Sequence, residues 1–120
     1  MEECIFCKIV SGEIPSQKVY EDGQFLAFLD IRPLSAGHTL VIPKKHYRFV
    51  WDVENIGDYF VVVQKVAKAL QHVSGTDEVF MKVIGEEVPH AHVWVFANPE
   101  KAQGDKNDFA AIAEKIKTML

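Results

Sequence analysis

The spacing of apolar residues changes along this chain, and each change marks an element. Residues 4–10 (Cys-Ile-Phe-Cys-Lys-Ile-Val) read as a short helix that Ser11-Gly12 ends. Residues 17–22 suit a first strand, and Asp22-Gly23 is a hairpin signal with 24–30 as the returning strand. The run Arg32-Pro33-Leu34-Ser35-Ala36-Gly37 is a loop, followed by a third strand over 38–43 that Pro43 ends. Ile56, Phe60, Val63, Val66, Ala67, Leu70 and Val73 then recur at intervals of three and four, which predicts a long helix over 56–73 with Asn55 as its N-cap and Gly75 at its C-terminal end. Two more strands are expected, over 78–84 and 90–96. In the tail, Phe109, Ile112, Ala113 and Ile116 share one helical face behind Asn107 or Asp108 as cap, giving a helix over about 107–119. Strands joined mostly by short turns, with helices inserted as units, make an α+β pattern with an antiparallel sheet.

The strand expected over 90–96 carries the most chemistry. Alternation puts His90, His92 and Trp94 on one face and turns Ala91, Val93 and Val95 toward a core. Two imidazoles along one strand face are costly to bury unless each has a partner. Half-exposed strand histidines would be the plain reading of His-x-His taken alone.

Composition narrows the function classes. A chain of 120 residues suits one domain and can bury roughly two-thirds of its unfolded surface. A net charge of -4 gives no basic stripe for a nucleic-acid backbone, and the cluster of Lys44, Lys45 and Arg48 is too small to supply one. No segment approaches the ~20 apolar residues of a membrane span, and Met1-Glu2-Glu3 lacks the basic start of a signal peptide. The expectation is a cytoplasmic protein with reduced cysteines and neither a nucleic-acid nor a membrane partner.

Cys4-Ile5-Phe6-Cys7 has the spacing of half a zinc site, of a redox pair, or of two small buried thiols. There is no second cysteine pair, so further metal ligands would have to be histidines. Five are available: His38, His46, His72, His90 and His92. His72, late in the long helix, reads as a surface residue that suits the helix dipole. His46, just past a strand end, taken alone reads as a loop residue bonding locally.

In order along the chain stand Cys4-Ile5-Phe6-Cys7-Lys8-Ile9, Phe28-Leu29-Asp30-Ile31, Gly37-His38-Thr39-Leu40-Val41-Ile42-Pro43-Lys44-Lys45-His46, and Val88-Pro89-His90-Ala91-His92. This series resembles the histidine triad (HIT) family, in particular its small nucleotide-binding members, from residue 4 to about 97. The resemblance implies a single HIT domain over 1–120: a five-stranded antiparallel sheet with one long helix and a C-terminal helix, paired into a homodimer. It implies that His92 is the nucleophile, attacking the α-phosphorus of a purine nucleotide conjugate to form a nucleotidyl-histidine that is hydrolysed or passed on. His38 would lie beside it at the phosphate end. Phe6, Ile9, Phe28, Ile31 and Leu40 would enclose the base of an AMP-like ligand, and Asp30 would accept from the ribose hydroxyls. It further implies a structural zinc ion held by Cys4, Cys7, His46 and His90, a closed set of two thiolates and two imidazoles.

Two positions depart from the family pattern. Trp94 stands where the third histidine of the triad is usual. An indole offers one N–H donor and no titratable proton, so it can bond a phosphate oxygen but cannot protonate a leaving group. Loss of such a proton donor costs ~10²–10⁴-fold. A nucleotidyl transferase branch of the superfamily has glutamine there. Glu87 replaces a hydroxyl residue that would contact phosphate, and its carboxylate would repel that phosphate unless it turns away. The leading expectation is a nucleoside phosphoramidase-like hydrolase or transferase; the alternative is a nucleotide-binding, regulatory HIT protein with little turnover.

Overall fold

The computed structural model describes residues 4–85 and 88–120. Helix α1 (Ile5–Ser11) is followed by strands β1 (Lys18–Glu21), β2 (Phe25–Leu29) and β3 (Thr39–Pro43), a short 3-10 turn (Val50–Asp52), and the long helix α2 (Ile56–Ser74). Strands β4 (Val79–Lys82) and β5 (Val93–Ala97) and helix α3 (Phe109–Met119) complete the chain. The strands form a five-stranded, wholly antiparallel sheet in the order β1-β2-β3-β5-β4. No helix among the described residues is long and apolar enough to cross a membrane.

Local chemistry accounts for the element ends. Cys4 caps α1 by accepting the backbone N–H of Cys7 on its sulfur at 3.3 Å, and Gly12 ends the helix in the left-handed region. The β1–β2 hairpin forms where Asp22-Gly23 predicts it, but Gly23 has no positive φ. The turn is built instead by the Asp22 carboxylate, which accepts from the backbone N–H groups of Gln24 and Phe25 at 2.7 Å each and from the Tyr20 hydroxyl at 2.7 Å. Asn55 precedes α2 as expected, yet its side chain does not cap; its amide donates to Gln24 Oε1 at 2.7 Å and ties the helix start to the hairpin.

One sheet face carries the main core. Val41, Val93 and Val95 meet Val63, Val66 and Leu70 of α2 and Ile112, Ala113 and Ile116 of α3. Each such side chain contributes about 1.5–3 kcal/mol on burial. The buried stripe of α2 is rotated from the one the spacing predicts: Tyr59 and Val62 are inside, while Ile56 and Phe60 are exposed. The run Tyr-Phe-Val-Val-Val allows either face, and Tyr59 wins because its ring stacks on Phe25 and its hydroxyl donates to the Val41 carbonyl at 2.7 Å. Gly37 sits where α2 and α3 close on the start of β3. Its φ is +90°, and a Cβ there would lie 2.6 Å from Leu70 Cδ2, so only glycine fits.

The other face positions the candidate site. Phe28 pairs with Leu40, Leu40 with Trp94, and Lys82 with Trp94, so these four side chains share it. Helix α1 covers one end, packing Phe6 and Ile9 against Leu26, Phe28, Leu40 and Ile42.

Candidate functional site

The expected face-sharing of His90, His92 and Trp94 is present, but the strand under them is shorter than 90–96. Strand β5 begins only at Val93, because Ala91 N–H bonds the Tyr47 carbonyl at 2.7 Å and His90 N–H bonds the Val88 carbonyl at 2.8 Å. Ala91 enters the main core, while His90 and His92 both set their rings edge-on to Phe6 with centroids 5.9 and 5.1 Å away. Both imidazoles are buried. Each is partnered, as burial demands.

Cys4, Cys7, His46 and His90 converge, their ligand atoms all within 4.8 Å of one another. Cys4 Sγ lies 3.3 Å from His90 Nδ1, and Cys7 Sγ lies 3.3 Å from His46 Nδ1 and 3.5 Å from His90 Nδ1. A tetrahedral centre with Zn–S of about 2.3 Å and Zn–N of about 2.0–2.1 Å would hold its donors about 3.3–3.8 Å apart. The donor set and its spacing therefore fit a metal ion. His90 is prepared for the same task by Nε2–H, which donates to the Pro43 carbonyl at 2.8 Å and leaves the Nδ1 lone pair facing the thiols. Burial, with His46 and His92 nearby, pushes the His90 imidazole down to about 4. Burial and the Cys4 thiol push Cys7 up to about 11. Both shifts disfavour charge on these side chains, and loading the cluster with a cation would release the Cys7 thiol proton.

His92 is held in the opposite tautomer. Its Nδ1 lies 2.8 Å from the His90 carbonyl oxygen, which can only accept, so Nδ1 carries the hydrogen and Nε2 keeps the lone pair. His38 is buried against Trp94 and Phe96, with ring centroids 5.2 and 5.1 Å away. Its Nδ1 accepts from the Leu34 backbone N–H at 3.1 Å, so Nε2 bears the hydrogen and points at Asp30 Oδ2, 3.6 Å away. Burial lowers the His38 pKa, opposed by Asp30 and assisted by Lys82. Nε2 has no hydrogen-bond partner among the described residues. Asp30 is half-buried, and its Oδ1 accepts from Arg32 N–H at 2.9 Å.

Of the residues expected around a base, Phe6, Ile9, Phe28 and Leu40 form one apolar wall. Ile31 does not join them. It lies past the end of β2, is 83% exposed and lines a shallow groove with Leu29 and Phe109. Glu87 lies outside the described residues. His72 is exposed on α2, as its position predicts. Phe96 and Lys82 also belong to this face and were not singled out from the sequence. Alternation within each strand was visible, but the β4–β5 register that sets Lys82 beside Trp94 was not.

The model of the HIT domain matches residues 11–101. The chain belongs to the HIT family. Among its HIT-family relatives, the protein hit of Bacillus subtilis is 54% identical over 72 residues, covering 58% of this chain and half the length of that protein. The adenosine 5'-monophosphoramidase of Saccharomyces cerevisiae is 37% identical over 129 aligned residues, covering 98% of this chain and 80% of that one. A crystal structure of a HIT-like protein involved in cell-cycle regulation from Bartonella henselae superposes with a TM-score of 0.88 at 32% identity, over 100% of this chain and 98% of the other. A zinc-bound histidine triad family protein from Mycobacterium smegmatis gives a TM-score of 0.77 at 28% identity, over 98% and 93%. The expected HIT fold, with its five-stranded antiparallel sheet, is thereby shown.

Proposed function

We propose that this HIT-family protein is a nucleotide hydrolase or nucleotidyl transferase that acts at the α-phosphate of a purine nucleotide conjugate through a covalent nucleotidyl-His92 intermediate. The observation that carries this reading is the bond from His92 Nδ1–H to the His90 carbonyl at 2.8 Å, which orients the ring and leaves Nε2 as its nucleophilic atom. In the first step Nε2 attacks phosphorus and the leaving group departs with its electron pair. In the second, water attacks the same phosphorus and the imidazole leaves. The His90 carbonyl stabilises the positive charge the ring carries between the two steps.

The nucleoside would lie on the wall of Phe6, Ile9, Phe28 and Leu40, with the Asp30 carboxylate accepting from the ribose hydroxyls. Arg32 N–H holds that carboxylate in place, with His38 Nε2 3.6 Å from its other oxygen. His38 itself shapes the phosphate end. Cys4, Cys7, His46 and His90 would hold a structural zinc ion, whose four protein ligands leave no position for substrate. It would tie α1, which carries Phe6, to the segment carrying His92. Similarity to the zinc-bound Mycobacterium protein supports a metal in this cluster, and similarity to the yeast adenosine 5'-monophosphoramidase supports a nucleotide ligand.

Two further parts belong to the proposal. The sheet ends at β4, whose outer edge has no strand partner among the described residues and is flanked by the exposed Phe80, Met81, Val83 and Ile84; a second copy pairing there would make the homodimer. The free thiols of Cys4 and Cys7 suit the reducing cytoplasm.

The test is to incubate the protein with adenosine 5'-phosphoramidate labelled in the nucleotide and quench with base. A base-stable, acid-labile protein adduct that disappears in His92→Ala is the expected result. Tight nucleotide binding with no adduct and no product overturns the enzymatic reading. It would favour instead a regulatory nucleotide-binding protein, the second reading that the indole of Trp94 keeps open.

A further inference from the structure

We propose that Arg48 is a positioning residue for the nucleotide pocket: it clamps the connection between β4 and β5 at Gly85 and so holds Val88 at the edge of the apolar wall. The proposal rests on the reading above, that a nucleotide lies on this wall, and adds to it a residue outside the wall.

The connection from Lys82 to Val93 leaves the sheet and must return with His90 and His92 in place. One short strap, residues 46–49, catches it at two points. At the later point the His46 ring lies edge-on to His90, with centroids 4.8 Å apart, and the Tyr47 carbonyl accepts the Ala91 N–H at 2.7 Å. At the earlier point Arg48 Nη1 donates to the Gly85 carbonyl at 2.6 Å, a bond strengthened by the charge on its donor. The guanidinium is itself held. Its Cζ lies 4.4 Å from the centroid of the Phe49 ring, and Phe49 stacks on Trp51 with centroids 4.9 Å apart and planes 7° from parallel. A planar cation seated on a ring loses less freedom when it forms its hydrogen bond than a loose chain does. Gly85 is shaped to the same contact. Its φ of +76° favours glycine, and a Cβ built there would meet Phe49 Cδ1 at 3.5 Å, so the Phe49 ring packs directly against this turn of backbone.

Val88, three residues on, is half-buried against the cluster of Phe6, Ile9, Phe28 and Leu40, and Trp94 packs on that cluster too. Within one protomer burial does little to hold the stretch before it, because Val83 and Ile84 are both exposed. Releasing Gly85 would therefore loosen Val88 and open the edge of the wall. His92 would keep its orientation, since the Tyr47–Ala91 bond and the His90 carbonyl act after that point in the chain. Loss of Arg48 thus weakens binding of the nucleoside and spares the chemical step.

The experiment measures AMP binding by calorimetry and turnover of adenosine 5'-phosphoramidate by the full chain, wild type against Arg48→Gln and Arg48→Lys. Arg48→Gln is expected to weaken AMP binding by about threefold to tenfold and to raise KM in step, with kcat within about twofold and metal content unchanged. Arg48→Lys, which keeps the charge and a donor but not the planar stack, should recover part of the loss. Limited digestion with a glutamate-specific protease, which cuts after Glu86 and Glu87, should be about threefold faster at those bonds in Arg48→Gln. Unchanged AMP affinity, unchanged cleavage, a fall in kcat at constant KM, or loss of metal from Arg48→Gln each overturns the clamp and leaves the His92 reading standing. A wild-type protein that does not bind AMP overturns the nucleotide site itself, and this proposal with it.

Discussion

His90 and His92 are two residues apart, on the same face and against the same phenylalanine, yet they are held in opposite tautomers. The hydrogen of His90 sits on Nε2 and is spent on the Pro43 carbonyl, so Nδ1 faces two sulfurs. The hydrogen of His92 sits on Nδ1 and is spent on the His90 carbonyl, so Nε2 is the lone pair that remains. One backbone carbonyl in each case chooses which nitrogen is basic. Residue type therefore says little about the role of a buried histidine; the partner of its N–H says most of it.

Breaking the pair one member at a time should separate the two roles. His92→Ala is expected to have the largest effect on chemistry, abolishing the adduct and lowering turnover by about 10³-fold or more, with metal content unchanged; rapid-quench kinetics and elemental analysis read both. Cys4→Ser should do the reverse: zinc near one per chain falls toward zero, and stability drops by about 3 kcal/mol when wild type is measured at a hundredfold excess of metal over its dissociation constant. A thermal melt that is insensitive to chelator would argue against the metal site. Trp94→His sharpens the comparison by restoring a titratable group beside His92. Turnover of the phosphoramidate should rise by about tenfold or more, whereas unchanged turnover would mean that proton supply does not limit the rate.

The smallest expected effect concerns His38. Its folded pKa lies below the ordinary value of about 6.5, so between the two values the unfolded chain binds more protons. Its contribution to stability is then present above that ordinary value and lost as pH falls through the folded one. His38→Asn keeps an acceptor near the Leu34 N–H but cannot titrate. Urea melts at pH 7.5 and 5.5, read as about neutral and mildly acidic, should show a shallower pH slope for the variant than for wild type.

Most of the fold was legible because hydrophobic spacing is a local property. The hairpin at Asp22, the third strand ending at Pro43, the end of α2 before Gly75 and the buried face of α3 all follow from short stretches of chain. Failures occurred where local signals were degenerate. Five apolar or aromatic residues in a row at 59–63 fit more than one helical face, and the spacing pointed to Ile56 and Phe60 where the structure buries Tyr59, bonded to the Val41 carbonyl, and Val62. Strand β5 lost its first residues because Tyr47, far away in sequence, took the N–H of Ala91.

By itself the sequence determined which side chains were available: two thiols at helical spacing, a histidine pair two residues apart, an indole beyond them, and strands and helices of a length that makes one twisted sheet with helices packed on it. Those are consequences of residue type and of periods of 2 and 3.6 along the chain. Only the tertiary structure decided which nitrogen of each imidazole carries the proton, that His46 swings in to complete the cluster with Cys4, Cys7 and His90, and that Lys82 stands beside Trp94. Convergence and register are set by partners distant in sequence, and a single backbone carbonyl brought within 2.8 Å is enough to choose which imidazole nitrogen keeps its lone pair.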